Sequence, residues 1–108
     1  MMPIDLTKEN CDAEVKESSL PVVVDFLGPS CGPCMALMPK FLEIAEKYDG
    51  KVKFCKVDTS QNKRVAINFK VMGLPTILFW KDGAEVARLS GVDATPENIT
   101  AKIEELIA

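Results

Sequence analysis

Two cysteines three residues apart, Cys31 and Cys34, are the residues of this chain best placed to do chemistry, with Gly32-Pro33 between them. They lie between an apolar run, residues 22–27, and a helical pattern that opens at Pro33. Residues three apart at the start of a helix face the same side, with Cβ atoms roughly 5–6 Å apart. That is close enough, after small adjustment, for a disulfide. A helix N-terminus also presents unpaired N–H groups and the positive end of the macrodipole, which favour the thiolate of Cys31 over its thiol. Cys31 is therefore the expected nucleophile. Cys34, one turn further in, is the expected resolving thiol, attacking a mixed disulfide on Cys31 and releasing the reduced partner. Pro33 has its φ preset for the first helical turn, and Gly32 lets a partner's backbone pass close. The blander readings are half of a zinc site or two cysteines without a role, but a Cys-x-x-Cys beside a strand-helix-strand pattern favours redox chemistry.

The elements that must hold these thiols follow from hydrophobic pattern. Residues 22–27 read as a buried strand, β-branched and nearly continuous in apolar character. Asp25 breaks that run. An unpaired carboxylate there would cost several kcal/mol, about enough to raise its pKa, unless the strand end is wetter than the run suggests. The helix over 33–48 carries a stripe of Cys34, Met38, Phe41, Leu42, Ala45 and Tyr48, with a kink expected at Pro39 and an end at Asp49-Gly50. A strand over 52–58 follows, and a strand-helix-strand unit of this length implies a parallel pair. Cys55 and Lys56 point to its opposite faces; Lys56 has an ordinary solvated lysine as its alternative reading.

Upstream, residues 4–6 read as a short edge strand, and Thr7 as the N-cap of a helix reaching about Glu17, with Cys11 and Val15 buried. Cys11 is read as a small core residue. Downstream come a short helix over 63–69, a strand over 77–80 and a hairpin at Asp82-Gly83. The returning strand covers 86–89, and a last helix opened by Thr95-Pro96 buries Ile99, Ile103, Leu106 and Ile107. The plan is α/β: a central, mixed, mainly buried sheet of about five strands flanked by four helices, as one domain over residues 1–108.

Composition narrows the function classes. At 108 residues, with 47% hydrophobic residues, the chain can fill a single core. Thirteen basic residues against 16 acidic ones give a net charge of −3 without a basic run, which argues against nucleic acid as a partner. Neither a signal peptide nor a membrane span is evident, so a reducing cytoplasm is expected, where a Cys-x-x-Cys is catalytic or metal-binding rather than a static staple. Four cysteines could hold zinc, but a second close pair is missing and the chain contains no histidine. No metal is expected.

Cys31-Gly32-Pro33-Cys34 after Val24-Asp25-Phe26, followed by Met38-Pro39, Gly73-Leu74-Pro75-Thr76 and Lys81-Asp82-Gly83, resembles the thioredoxin family along nearly the whole chain. The resemblance implies a thioredoxin fold and a dithiol-disulfide oxidoreductase that reduces protein disulfides. Its redox group would be the Cys31–Cys34 disulfide, without a further cofactor. Asp25 would be a buried acid relaying protons to Cys34, tuned by Lys56. Leu74-Pro75 would be a cis bond beside the thiols, leaving the Leu74 backbone free to pair with an extended substrate. Gly32, Pro33, Met72, Gly73, Leu74, Pro75 and Gly91 would border the substrate groove, although Gly91 reads equally well as a strand-terminating glycine. Expected partners are client proteins with disulfides and a flavin-dependent reductase, of the usual or an atypical kind; a monomer is expected.

The chain departs from the family pattern where tryptophans usually precede the first cysteine, holding Leu27 and Ser30 with Gly28-Pro29 between. The change bears on partner choice more than on chemistry. Met35 and Met72 could supply an adaptable apolar rim instead, or merely cover the core.

Overall fold

The computed structural model describes residues 2–108. Its five strands are β1 (Ile4–Asp5), β2 (Val22–Leu27), β3 (Lys53–Asp58), β4 (Thr76–Lys81) and β5 (Ala84–Ser90). They form one sheet in the order β1-β3-β2-β4-β5. β2, whose six residues are all buried, takes the centre, as an apolar run with no solvent face must. β1 and β2 run parallel to β3, whereas β4 runs antiparallel to both β2 and β5. The sheet is therefore mixed. Asp82 and Gly83 both have positive φ, 53° and 81°, the backbone that a two-residue hairpin between β4 and β5 requires.

Alternation along the strands divides two cores. Val23, Phe54, Ile77 and Phe79 face α1 (Gly32–Lys47) and α3 (Pro96–Ile107). Val22, Val24, Phe26, Cys55, Val57 and Leu78 face the other side, covered by α2 (Lys63–Asn68) and by a helical segment, Asp12–Lys16. Phe41 of α1, fully buried, meets the Phe54 ring edge-on at 5.7 Å. A phenylalanine in such a place contributes ~3–5 kcal/mol over alanine. Thr95 caps α3 by accepting the Asn98 N–H at 3.1 Å, with Pro96 in its first turn.

Two expectations need correction. The first helical segment is capped by Thr7 as expected, its Oγ1 accepting the Glu9 N–H at 3.3 Å and its O the Cys11 N–H at 3.0 Å, but it is not a regular α-helix: over Asp12–Lys16 the chain winds wider, closed by an i to i+5 bond from Glu17 N to Asp12 O. Cys11 and Val15 are its buried residues, as expected. In α1 the buried stripe is Cys34, Leu37, Phe41, Ile44 and Ala45; Met38 and Leu42 flank it, half-buried. Among the described residues no helix is long and apolar enough to cross a membrane.

Candidate active site

β2 carries the chain to the carboxyl edge of the sheet, and residues 28–30 turn it into α1. The turn is held from both sides. Leu27 O accepts Thr59 N at 2.9 Å and Thr59 Oγ1 at 3.0 Å, while Gly28 O accepts Cys31 N at 3.0 Å. Cys31 is thereby left in extended backbone as the N-cap of α1, and its Sγ accepts the Cys34 N–H at 3.2 Å. An amide at a helix start pointing at sulfur is the arrangement that favours a thiolate there. Cys31 and Cys34 are joined as a disulfide with Cα atoms 5.2 Å apart. Cys31 is half-buried and Cys34 is 0% exposed, so a partner's sulfur can reach only the first.

Asp25 lies on the α1 side of β2, on the face it shares with Val23, and is 0% exposed. Neither of its carboxylate oxygens has a hydrogen-bond partner. Burial pushes its pKa up to about 7, against a smaller downward pull from Lys56. Lys56 stands opposite Asp25 in the β2–β3 register. Its ammonium, however, pairs with Asp5 at the rim, 3.5 Å away, so it modulates the buried acid through its field rather than by contact.

The second wall of the site is the segment before β4. Thr76 pairs with Phe26 in the sheet register, which sets the preceding Pro75 beside the turn that carries Cys31. The Leu74–Pro75 peptide is cis. Thr76 Oγ1 donates to Gly73 O at 2.6 Å, and Gly91, at φ +55°, donates its N–H to Pro75 O at 2.9 Å. Gly28 allows the two walls to close: a Cβ there would lie 3.3 Å from Leu74 Cδ1. Gly32, Pro33, Gly73 and Gly91 are exposed, and Met72 and Met35 are 98% and 47% exposed rather than covering core.

The structure thus gathers Cys31, Cys34, Gly32, Pro33, Gly73, Leu74, Pro75 and Gly91 at one edge, with Asp25 beneath. Sequence reasoning missed Thr59, which fastens the turn, the packing role of Gly28, and Val92, an apolar side chain 92% exposed next to Gly91. Only Val92 left a readable signal, as a lone apolar residue after a glycine. Leu27, at one of the usual tryptophan places, is buried, whereas Ser30 is exposed.

Cys11 and Cys55 belong to the opposite core and are free thiols. Burial raises both pKa values, that of Cys55 to about 12, so neither offers a thiolate near neutral pH. Trp80, the only tryptophan, pairs with Val22 at the far end of β2 from Cys31 and packs edge-on to Phe69 at 5.5 Å. Its emission should change little on reduction of the disulfide; a large intensity change in the folded protein would place it in contact with the thiols after all.

The thioredoxin family model matches residues 2–105. A thioredoxin of Peptoclostridium acidaminophilum is 46% identical over 100 residues, covering 93% of this chain and 91% of the relative. One from Acetoanaerobium sticklandii is 41% identical over 103 residues, with 95% and 98% covered, and thioredoxin C-2 of Corynebacterium nephridii is 36% identical over 104, with 96% and 95% covered. A thiol pair split between reach and burial, on a five-stranded mixed sheet that matches that family from end to end, leads to one conclusion: the chain belongs to the thioredoxin family and is a dithiol-disulfide oxidoreductase.

Proposed function

We propose that Cys31 attacks and Cys34 resolves. The Cys31 thiolate bonds to one sulfur of a client disulfide and expels the other as a thiolate. Cys34, once deprotonated, then attacks Cys31 Sγ, forming the internal disulfide and releasing the second client thiolate. Two electrons pass to the client, and the Cys34 proton goes to Asp25. A carboxylate with a pKa near 7 is matched to that exchange at neutral pH. Burial sets how far above the ordinary range Asp25 lies, and the field of Lys56 draws it part of the way back. The observation that carries the assignment is the contrast between a reachable, amide-capped Cys31 and a fully buried Cys34.

The exposed backbone at Gly73 and Gly91, flanking Leu74-Pro75, suits an extended client segment. Pro33, Met35, Met72 and Val92 supply an apolar rim that polarisable methionines can adapt to different clients. The internal disulfide is the redox group, recycled by a flavin-dependent reductase that tolerates Ser30 where the family usually carries tryptophan. Free thiols at Cys11 and Cys55 suit a reducing compartment, and we place the protein in the cytoplasm as a monomer.

Reduction of insulin disulfides by the protein, with a chemical dithiol as donor, tests the reading. The parent should accelerate the reaction, and Cys31→Ser should fall to the uncatalysed rate. Equal activity in the two would remove the enzymatic assignment.

A further inference from the structure

We propose that a cleft on the same edge of the sheet as the disulfide, bearing Lys8, Lys63 and Arg64, docks acidic polypeptide segments of the proteins that exchange electrons with Cys31. The inference rests on the disulfide-exchange reading and adds to it the chemistry of the partner. The cleft measures about 310 Å³ and is walled by the loop after β1, which carries Thr7 and Lys8, and by the stretch after β3 from Gln61 to Arg64. Cys31 follows the carboxyl end of β2. β1, β3 and β2 are adjacent and parallel. With strands about 4.8 Å apart, β3 and β1, which lead into the cleft, end on the same carboxyl edge as β2, roughly 5 and 10 Å to its side, with α2 opening on the sheet face opposite α1. The bonds from Thr59 to Leu27 O join the two neighbourhoods directly.

Charge marks this cleft, which gathers three cations without an ion-pair partner among the described residues. Of the other ten lysines and arginines six are in ion pairs, among them Lys16–Asp12, Lys53–Glu14, Lys56–Asp5 and Arg88–Glu85, while Lys47, Lys51, Lys70 and Lys81 are not. Lys8, Lys63 and Arg64 are exposed and have no side-chain partner among the described residues. One carboxylate, Glu9, lines the same cleft. Local folding does not account for the cations, since Lys63 and Arg64 occupy the first turn of α2, where the helix dipole disfavours positive charge. The result, separated from the Cys31 turn by the end of β3 at Asp58, is a group of three unpaired cations on the reacting edge of a molecule whose net charge is −3. Its field reaches about 10 Å at 0.1 M salt, enough to steer an acidic segment toward Cys31. An extended chain advances about 3.3 Å per residue, so acidic residues roughly three to five positions from the reacting cysteine would reach the cleft.

The test measures how fast the fully reduced protein is oxidised by three synthetic disulfide peptides. They are identical around the disulfide and carry glutamate, glutamine or lysine three to five residues from the reacting cysteine. At low salt the glutamate peptide should react about tenfold faster than the glutamine peptide, and the lysine peptide slowest. The advantage should vanish in about 0.5 M salt, where charges are screened within a few ångströms. It should vanish also in the combined variant Lys8→Gln, Lys63→Gln, Arg64→Gln, which should oxidise with the glutamine peptide at the parent rate. Glu9→Gln should widen the preference. Equal rates with all three peptides in the parent, or an acidic preference that survives in the triple variant, would overturn the docking proposal while leaving disulfide exchange intact. Loss of reaction with every peptide would overturn the exchange reading and the proposal together. Equal peptide rates accompanied by inorganic polyphosphate binding to the parent but not to the triple variant would assign the cleft to phosphate polymers instead.

Discussion

Cys34→Ser should turn the protein into a trap, holding clients as mixed disulfides on Cys31 for minutes to hours, the timescale of uncatalysed disulfide rearrangement. The physical basis is the unequal access of the two sulfurs. Cys31 sits at the mouth of α1 with the Cys34 amide directed at it, so attack on a client survives the substitution. Resolution does not, because the one nucleophile placed behind Cys31, with Cα atoms 5.2 Å apart, is gone. Cys11 and Cys55 cannot substitute for it, as they are buried in the other core with raised pKa values. Non-reducing electrophoresis and intact mass would show adducts at one client per chain. Cys31→Ser should form none, since Cys34 is out of a partner's reach. Adducts on Cys31→Ser but not on Cys34→Ser would exchange the two roles.

What could be read in the sequence was what local pattern determines. Cys31-Gly32-Pro33-Cys34 states its geometry in four residues, and Asp25 announces itself as the only charge in a six-residue apolar run. The parallel β2–β3 pair follows from the length of the intervening helix, and the Asp82-Gly83 turn from its dipeptide. Harder to read was any choice between neighbours of similar chemistry. Leu37 and Met38 are adjacent and both apolar, and periodicity alone does not say which one a third layer, here α3, will cover. Strand alternation put Lys56 on the face opposite Cys55, and resemblance pointed it toward Asp25, but neither identifies Asp5 as its partner. The ammonium goes to Asp5 at the wetter rim, where Asp5 is largely exposed and Lys56 keeps part of its hydration, rather than into a dry pair whose desolvation would offset much of the Coulomb gain. The groove was legible through resemblance alone, because Pro75, Gly91 and Gly28 are brought together by strand register and not by spacing.

Asp25→Asn should stabilise the protein by an amount that grows with pH, and should slow resolution of mixed disulfides over the same range. The carboxyl has a pKa of about 7 when folded, against 3.8 for a free aspartate side chain. Between those values the native state holds a proton that the unfolded chain has lost, so the slope of unfolding free energy with pH is negative. The stability that the protonated carboxyl leaves undisturbed is present below about pH 4 and is lost as pH rises toward 7. Over three units or so this is on the order of 4 kcal/mol. Asparagine is neutral throughout and similar in shape. Urea unfolding of the oxidised proteins should therefore give nearly equal stabilities near pH 4 and a variant more stable by roughly 4 kcal/mol at pH 8. The kinetic half has the opposite sign, because the carboxylate that burdens the fold accepts the Cys34 proton. Without it, release of a client from the mixed disulfide should slow on the order of 10²-fold near neutral pH. The parent's inflection near pH 7 should disappear from the rate profile. Parallel stability curves for parent and variant would mean that Asp25 is solvated in solution. An unchanged release rate would mean that Cys34 loses its proton to water, and the proton-accepting role would fall even if the stability difference held.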